Sequence, residues 1–262
     1  MTATTEVRHG TRSSRRTTVV VAMLLLALGG GLGWWTSVRG GPLPVDVWWK
    51  GVVAGARLPA VLDTSLVLDW LGAGVVGVYV IPVGSTLALA VTGRRWSAAY
   101  LLAALAVSAV LVQALKHAFG RARPDGMLVV VDQGSFPSGH TANAATLAVA
   151  VTLLFPARWV RAVGAVAVTA MALSRTYLHA HWLSDTLGGV LLGSGVALLL
   201  AAAFWGPVER ERPLRVTPCA ARPGPGRPPS RRGWARPWSR TGGRRAGSAP
   251  ASGRWSSARR GS

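Results

Sequence analysis

Cysteine and acidic residues are scarce in this 262-residue chain. Its one cysteine, Cys219, excludes an intrachain disulfide and any metal cluster built on several cysteines. Charged residues make up only 15% of the chain, against about a quarter in soluble proteins, whereas half of the residues are hydrophobic. These proportions argue against one or two soluble domains and favour a membrane protein.

The few charges are also segregated along the chain. Nine acids stand against 29 lysines and arginines, a formal net charge of +20, and 14 of the arginines lie in residues 207–262. Because the basic residues flank apolar blocks, we expect them to contact anionic membrane lipids, and we expect no nucleic-acid partner. Residues 207–262 are rich in Arg, Pro, Gly and Ser, so we expect a disordered cytoplasmic tail.

Apolar blocks fill the rest of the chain, each near the length that a bilayer core requires. The six blocks are Thr17–Trp35, Leu71–Val91, Ser97–Phe119, His140–Phe155, Trp159–Leu178 and Asp185–Trp205. They predict an all-α integral membrane protein with a six-transmembrane-helix bundle over residues 17–206, after a basic cytoplasmic segment, 1–16. The first block resembles a signal peptide, but its length and its Trp34-Trp35 end favour an uncleaved anchor.

Basic residues orient this bundle in the plasma membrane. The connections on the side of the basic N-terminus, with the block ends beside them, carry Arg94, Arg95, Arg158 and Arg161. The positive-inside rule therefore places both termini in the cytoplasm and segments 36–70, 120–139 and 179–184 outside. Within the first outer segment, residues 45–53 (VDVWWKGVV) form either a helix lying on the outer leaflet or a packed loop.

Three polar clusters meet the membrane on this outer side: residues 116–124 (KHAFGRARP), 137–140 (PSGH) and 174–185 (SRTYLHAHWLSD). Lys116, Arg123 and Arg175 bring cations to membrane depth, where ionisable groups are costly and mark functional sites. Together these cations suit a phosphate dianion. Ser138 and Gly139 open a helix whose free amides also favour an anion, and Gly139 lets the backbone approach that anion closely.

The two histidines of these clusters supply acid–base chemistry. His181 and Asp185 are four residues apart, so on a helix they would share a face. A carboxylate beside an imidazole fixes its tautomer and makes its other nitrogen a nucleophile or base, while His140 can supply the complementary acid. The sequence shows no carboxylate cluster typical of a magnesium site, and we predict neither a metal nor a cofactor.

Some neighbours of these residues have simpler explanations. A polar network at the helix ends, with lysine and arginine extended towards headgroups, is the structural alternative for the whole set. His117 and His179 match no motif position, and we expect structural roles for both. Arg121 is a candidate for an additional contact around the phosphate, and Asn143 is expected to pack. The GxxxG pair Gly189 and Gly193 predicts close helix packing.

The ordered set Lys-x6-Arg-Pro, Pro-Ser-Gly-His and Ser-Arg-x5-His-x3-Asp resembles the three-part signature of the type 2 phosphatidic acid phosphatase (PAP2) superfamily. This resemblance implies metal-independent hydrolysis through a phospho-histidine. His181 would be the nucleophile, Asp185 would orient it, and His140 would protonate the leaving group and then activate water. The implied phosphate-binding residues are Lys116, Arg123, Arg175, Ser138 and Gly139.

The resemblance also suggests the substrate, a lipid phosphate or diphosphate. Bacterial members act on undecaprenyl diphosphate, phosphatidic acid or phosphatidylglycerophosphate, and a carrier-lipid diphosphate is the first expectation by analogy. A phosphotransferase that passes the phosphoryl group to a lipid or sugar would use the same residues. A non-catalytic lipid-phosphate transporter or scaffold is the alternative outside enzymes, and the intact set His140, His181 and Asp185 argues against it.

Overall fold

The structure, a computed structural model, describes residues 3–56, 58–72, 75–130 and 134–211. Over these ranges the chain forms α-helices and one π-helix, and it forms no strand. The α-helices are α1 (Ala3–Arg39), α2 (Pro44–Gly55), α3 (Pro59–Gly72), α4 (Ile81–Val91), α5 (Arg95–Phe119), α6 (Gly139–Leu154), α7 (Arg158–Tyr177), α8 (Leu183–Ala203) and α9 (Trp205–Glu211). The prediction of an all-α protein is confirmed for this part of the chain.

Among the described residues, length and composition single out three helices that can cross a membrane: α1 over Ser14–Arg39, α5 and α8. Two further helices, α4 and α6, are apolar but shorter, with 11 and 16 residues. Large apolar side chains such as Val110 and Val166 stay exposed on the outside of the bundle, as lipid-facing residues do. The chain is therefore a membrane protein, while the six spans and their orientation remain predictions.

The second predicted span, Leu71–Val91, is not α-helical throughout the residues that the structure describes. Helix α3 ends at Gly72, a π-helix covers Val76–Val80, and α4 starts with Pro82 in its first turn. Pro82 has no amide proton to bond the preceding turn. A proline and a π-helical stretch both interrupt the regular hydrogen-bond ladder of an α-helix, and such interruptions widen or bend the helix. The side-chain amide of Asn143 donates to the Gly77 carbonyl at 3.1 Å, which links this irregular segment to α6.

Helices α6 and α8 pack closely at two glycines. A Cβ atom at Gly189 would lie 2.6 Å from the Ser138 carbonyl oxygen, and one at Gly193 would lie 2.3 Å from the Ala142 carbonyl oxygen. Any larger residue would push the helices apart, so the close packing predicted from the GxxxG pair is confirmed. This contact holds the beginning of α6 against the beginning of α8.

Residues 45–53 lie within helix α2, so the loop interpretation of this segment is wrong. The indole N–H of Trp49 donates to the Thr176 hydroxyl at 2.9 Å and fastens α2 to α7. Val47 and Trp48 remain more than half exposed. Exposed apolar side chains of this kind can lie in a membrane interface, and the position of α2 on the outer leaflet stays a prediction.

Helix α9 covers residues 207–211, which therefore do not share the disorder predicted for the tail; residues 212–262 lie outside the described part of the chain. The Glu211 carboxylate accepts hydrogen bonds from the amides of Trp96 and Ser97, at 2.6 and 2.9 Å. These amides belong to the first turn of α5, which has no helical acceptors for them. Glu211, the last residue of α9, therefore caps the start of α5, and this contact ties α9 to α5.

Candidate active site

The three sequence motifs converge at one end of α5, α6 and α8. Lys116 lies in the last turn of α5, Ser138 is the N-cap residue of α6, and His181 lies in the loop between α7 and α8. The Ser138 amide donates to the carbonyl of Asp185 at 3.0 Å, which ties the second motif to the third. The close packing of α6 on α8 makes this bond possible.

His181 is almost completely enclosed, with 3% of its surface exposed. Its Nδ1 lies 2.7 Å from the Ser135 carbonyl oxygen, which can only accept a hydrogen bond, so Nδ1 carries the proton and Nε2 the lone pair. Burial lowers the pKa of His181 to about 4, although Asp185 acts in the opposite direction. The ring is therefore neutral at pH 7, and its Nε2 lone pair faces Arg123 Nη1 at 3.3 Å.

The spacing had predicted that Asp185 and His181 share a helix face, and this prediction is wrong. His181 precedes α8, whose N-cap residue is Trp182, and the Asp185 carboxylate accepts the Trp182 amide at 2.8 Å. His181 Nδ1 stays 3.8 Å from this carboxylate, because its hydrogen bond goes to Ser135. The Ser135 hydroxyl in turn donates to Asp185. Asp185 therefore influences His181 through its charge and through the position of Ser135.

Asp185 belongs to a buried network of ion pairs and hydrogen bonds. Arg121 pairs with Asp185 through Nη1 and donates through Nη2 to Asp46 at 2.8 Å. Asp46 also accepts the Ser184 amide at 2.8 Å and the Ser184 hydroxyl at 2.7 Å. Buried charges persist when they are paired and hydrogen-bonded, as these are. Arg121 thus positions Asp185, and Asp46 makes helix α2 part of the foundation of the site.

The predicted phosphate-binding cations also come together here. Lys116 and Arg175 are buried, and Arg123 donates to the carbonyls of Ala180 at 2.6 Å and Gly134 at 2.9 Å. Among the described residues, Nε and Nη2 of Arg175 have no hydrogen-bond partner. Buried donors seldom stay unsatisfied, so this guanidinium fits a site that accepts an anion.

The start of α6 supplies further donors. The first hydrogen bond of this helix runs from the Ala142 amide to the Ser138 carbonyl at 3.0 Å, so the amides of Gly139 and His140 precede it. Free first-turn amides of this kind bind phosphate well. Ser138 itself is fully buried, and its hydroxyl accepts a bond from Thr141 at 3.1 Å. The structure thus brings all eight predicted site residues into one region, and their roles remain predictions.

A carboxylate that the sequence interpretation did not include lies beside His140. Asp69, near the end of α3, forms an ion pair with Arg175 Nη1 and lies 3.4 Å from His140 Nε2. The two groups are close but not aligned, since His140 Nε2 has no hydrogen-bond partner among the described residues. Contact with His140, followed by the charge of Arg175, lowers the pKa of Asp69 against the effect of partial burial. Asp69 is therefore ionised.

A cavity of about 610 Å³ begins at these residues. Lys116, His140 and Asp69 form its polar end, and Leu102 and Val112 are among the apolar residues along its wall on α5. Lys116 follows Leu102 by fourteen positions, so the wall extends roughly 21 Å along the helix. A long, mainly apolar cavity with a cationic end has the form needed for a lipid with a phosphate headgroup.

Sequence reasoning missed three residues of the site: Asp46, Asp69 and Ser135. Asp46 and Asp69 lie in segment 36–70, which contains none of the three motifs. Their scarcity was a usable signal, because the chain has only nine acids and an acid near membrane depth is expensive. The pattern around Ser135 contained no comparable signal, because its carbonyl acts through the backbone.

Comparisons with known proteins agree with this arrangement. The PAP2 superfamily profile matches residues 97–208. The decaprenylphosphoryl-5-phosphoribose phosphatase of Mycobacterium tuberculosis is 31% identical over 147 residues, which cover 54% of this chain and 80% of that protein. This chain belongs to the PAP2 superfamily. All eight predicted site residues lie inside the matched range, whereas Asp46 and Asp69 lie outside it.

Two further proteins are similar to this chain, one in sequence and one in structure. Lipid A 1-phosphatase of Rhizobium johnstonii is 36% identical over 120 residues, which cover 42% of this chain. The matched part spans only about half of that relative, 48% of its length. In structure, the chain resembles the transmembrane PAP2 type phosphatidylglycerolphosphate phosphatase of Bacillus subtilis, with a TM-score of 0.59 and 24% identity over 74% of this chain and 98% of that one. This likeness shows a shared fold.

Proposed function

We propose that this PAP2 protein is a membrane lipid phosphatase that cleaves a lipid-linked phosphate through a phospho-histidine formed on His181. The observation that carries the proposal is the state of His181, a neutral ring whose Nδ1 is fixed by the Ser135 carbonyl and whose Nε2 faces Arg123. An imidazole held in this way is a directed nucleophile. The relatives named as phosphatases of lipid A and of decaprenylphosphoryl-5-phosphoribose support a lipid substrate.

The reaction has two steps. Nε2 of His181 attacks phosphorus, the bond from phosphorus to the leaving oxygen breaks, and His140 gives that oxygen its proton. Water then attacks the phospho-histidine and loses a proton to His140, and the phosphorus–nitrogen bond breaks to give inorganic phosphate and free His181. Lys116, Arg123 and Arg175 stabilise the phosphoryl oxygens throughout, as phosphoryl transfer requires.

We propose that this site faces the outside of the plasma membrane, with both termini in the cytoplasm and six spans between them. A lipid would reach it from the membrane with its chain in the 610 Å³ cavity and its phosphate at Lys116 and His140. The three cations, together with the amides of Gly139 and His140, supply the charge stabilisation, so the proposal needs no metal or cofactor.

Purified protein in detergent tests the activity. With EDTA present, we expect phosphate release from phosphatidic acid, phosphatidylglycerophosphate or undecaprenyl diphosphate. Substrate labelled at the transferred phosphoryl group should leave label on the protein that survives base and is lost in acid, as a phosphorus–nitrogen bond is. Label that survives acid would overturn the phospho-histidine. Added lipid or sugar acceptors that capture the label in place of water would favour the phosphotransferase.

Labelling with a membrane-impermeant thiol reagent tests the orientation. Gly134 is unsuitable for a cysteine, because its φ is +74° and a Cβ would lie 2.9 Å from the Lys116 carbonyl oxygen. Asp125 is fully exposed and serves instead. In intact cells we expect Asp125→Cys to react in a chain whose Cys219 is replaced by serine, and native Cys219 to react only after the membrane is opened. The reverse pattern would contradict the proposed orientation.

A further inference from the structure

Asp69 places a negative charge where the proposed reaction releases its leaving group. His140 gives its proton to the leaving oxygen, so that oxygen lies next to His140 when the phosphate is bound. Asp69 Oδ1 is 3.4 Å from His140 Nε2 and pairs with Arg175. In an in-line displacement the attacking His181 and the leaving oxygen stand on opposite sides of phosphorus. Asp69 therefore flanks the leaving group and not the nucleophile.

The same carboxylate lines the cavity that is proposed to hold the lipid. Asp69, His140 and Lys116 share the polar end of the 610 Å³ cavity, whereas His181 is buried and does not line it. The Asp69 side chain is 26% exposed, so it presents charge to whatever fills this end. The group attached to the departing oxygen thus meets Asp69 before it reaches the apolar wall.

Charge at the polar end of the cavity is what would separate a monoester from a diphosphate. Among the described residues that line this cavity, Asp69 is the only acid, and it forms an ion pair with Arg175. Arg121 already pairs with two acids, Asp46 and Asp185, so that network offers no positive charge to a second phosphate.

We infer that Asp69 selects for phosphate monoesters with a neutral alcohol as the leaving group and against diphosphates, an inference that rests on the proposed function. A neutral alcohol places no charge beside Asp69, and its hydroxyl groups can donate hydrogen bonds to the carboxylate. A diphosphate places its second phosphate there. Two like charges about 4 Å apart at a protein surface repel strongly enough to weaken binding about tenfold or more. This selection revises the first expectation of a carrier-lipid diphosphate.

The test compares a prenyl monophosphate and a prenyl diphosphate of the same chain length. Wild-type protein should give at least about a tenfold higher kcat/KM on the monophosphate. Asp69→Asn removes the charge and keeps the shape, so the ratio of diphosphate to monophosphate activity should rise about tenfold, whatever happens to each value alone. Asp125→Asn, which removes an exposed carboxylate elsewhere, is the matched control and should leave the ratio unchanged.

Two results would overturn the inference and leave the proposed function intact: wild-type protein that prefers the diphosphate, or an Asp69→Asn ratio equal to that of wild type. Wild-type protein that hydrolyses neither prenyl lipid, and also neither phosphatidic acid nor phosphatidylglycerophosphate, would overturn both. If Asp69→Asn does not fold, competitive inhibition of wild type decides the matter. Inorganic phosphate should then inhibit at a lower concentration than pyrophosphate, and the opposite order would contradict the inference.

Discussion

The two histidines of the site lie in contrasting surroundings. His181 is buried, bonded to the Ser135 carbonyl and supported through Asp185 by Arg121 and Asp46. His140 borders a cavity, and its Nε2 has no hydrogen-bond partner among the described residues. In the proposed mechanism, the nucleophile His181 is therefore held ready before substrate binds, whereas the acid–base group His140 completes its contacts only when the substrate arrives.

This contrast predicts the largest loss of activity when His181, the proposed nucleophile, is replaced. His181→Ala should lower kcat by at least about 10³-fold, because the phosphorylated intermediate cannot form. Phosphate release and labelling of the protein measure the loss, and gel filtration in detergent checks that the variant folds. More than a few per cent of wild-type activity would rule out His181 as the nucleophile.

The loss of activity on replacing His140 should depend on the leaving group of the substrate. His140→Ala should slow a lipid phosphate by about 10²-fold or more, because an alkoxide leaves poorly without a proton. An activated aryl phosphate needs little protonation and should lose much less. Parallel kcat/KM measurements on the two substrates check this, and an equal loss on both would contradict the role of His140 as the acid.

Weakening the ion network around Asp185 should have an intermediate effect on activity. Asp46→Asn removes one charge from the pair with Arg121, and we expect about a tenfold lower kcat together with a lower melting temperature. Asp63→Asn, an exposed acid on α3, is the control and should change neither. Normal kcat in Asp46→Asn would show that the nucleophile is held without help from α2.

The tail should matter least. A chain that ends after Glu211 should keep its specific activity within about twofold, because the proposed topology puts the tail a bilayer core of roughly 30 Å away from the site. A chain that ends after Pro207 also loses the Glu211 cap on α5, so its stability should fall by about 1 kcal/mol. Thermal unfolding separates the two truncations. Inactive but folded protein from the first would contradict the proposed topology.

Several local features of the molecule were predictable from the sequence. The start of α6 at Gly139 followed from the Pro-Ser-Gly-His run, and the close packing of α6 on α8 followed from Gly189 and Gly193. The π-helix in the second span was missed, because apolar content alone does not show where the helical hydrogen-bond ladder changes. Pro82 was a usable sign of this irregularity, since a proline near the middle of a block interrupts the hydrogen-bond ladder.

The sequence by itself determined that this is an all-α membrane protein of the PAP2 type and which cations and histidines form its candidate site. Those residues stand out because ionisable groups are rare in apolar blocks and occur here in an ordered pattern. Only the tertiary structure decided that His181 bonds to Ser135, that Asp46 supports Asp185, and that Asp69 meets Arg175 from 106 residues away. Such contacts depend on how helices pack, and no local periodicity in the chain records which helix ends will meet.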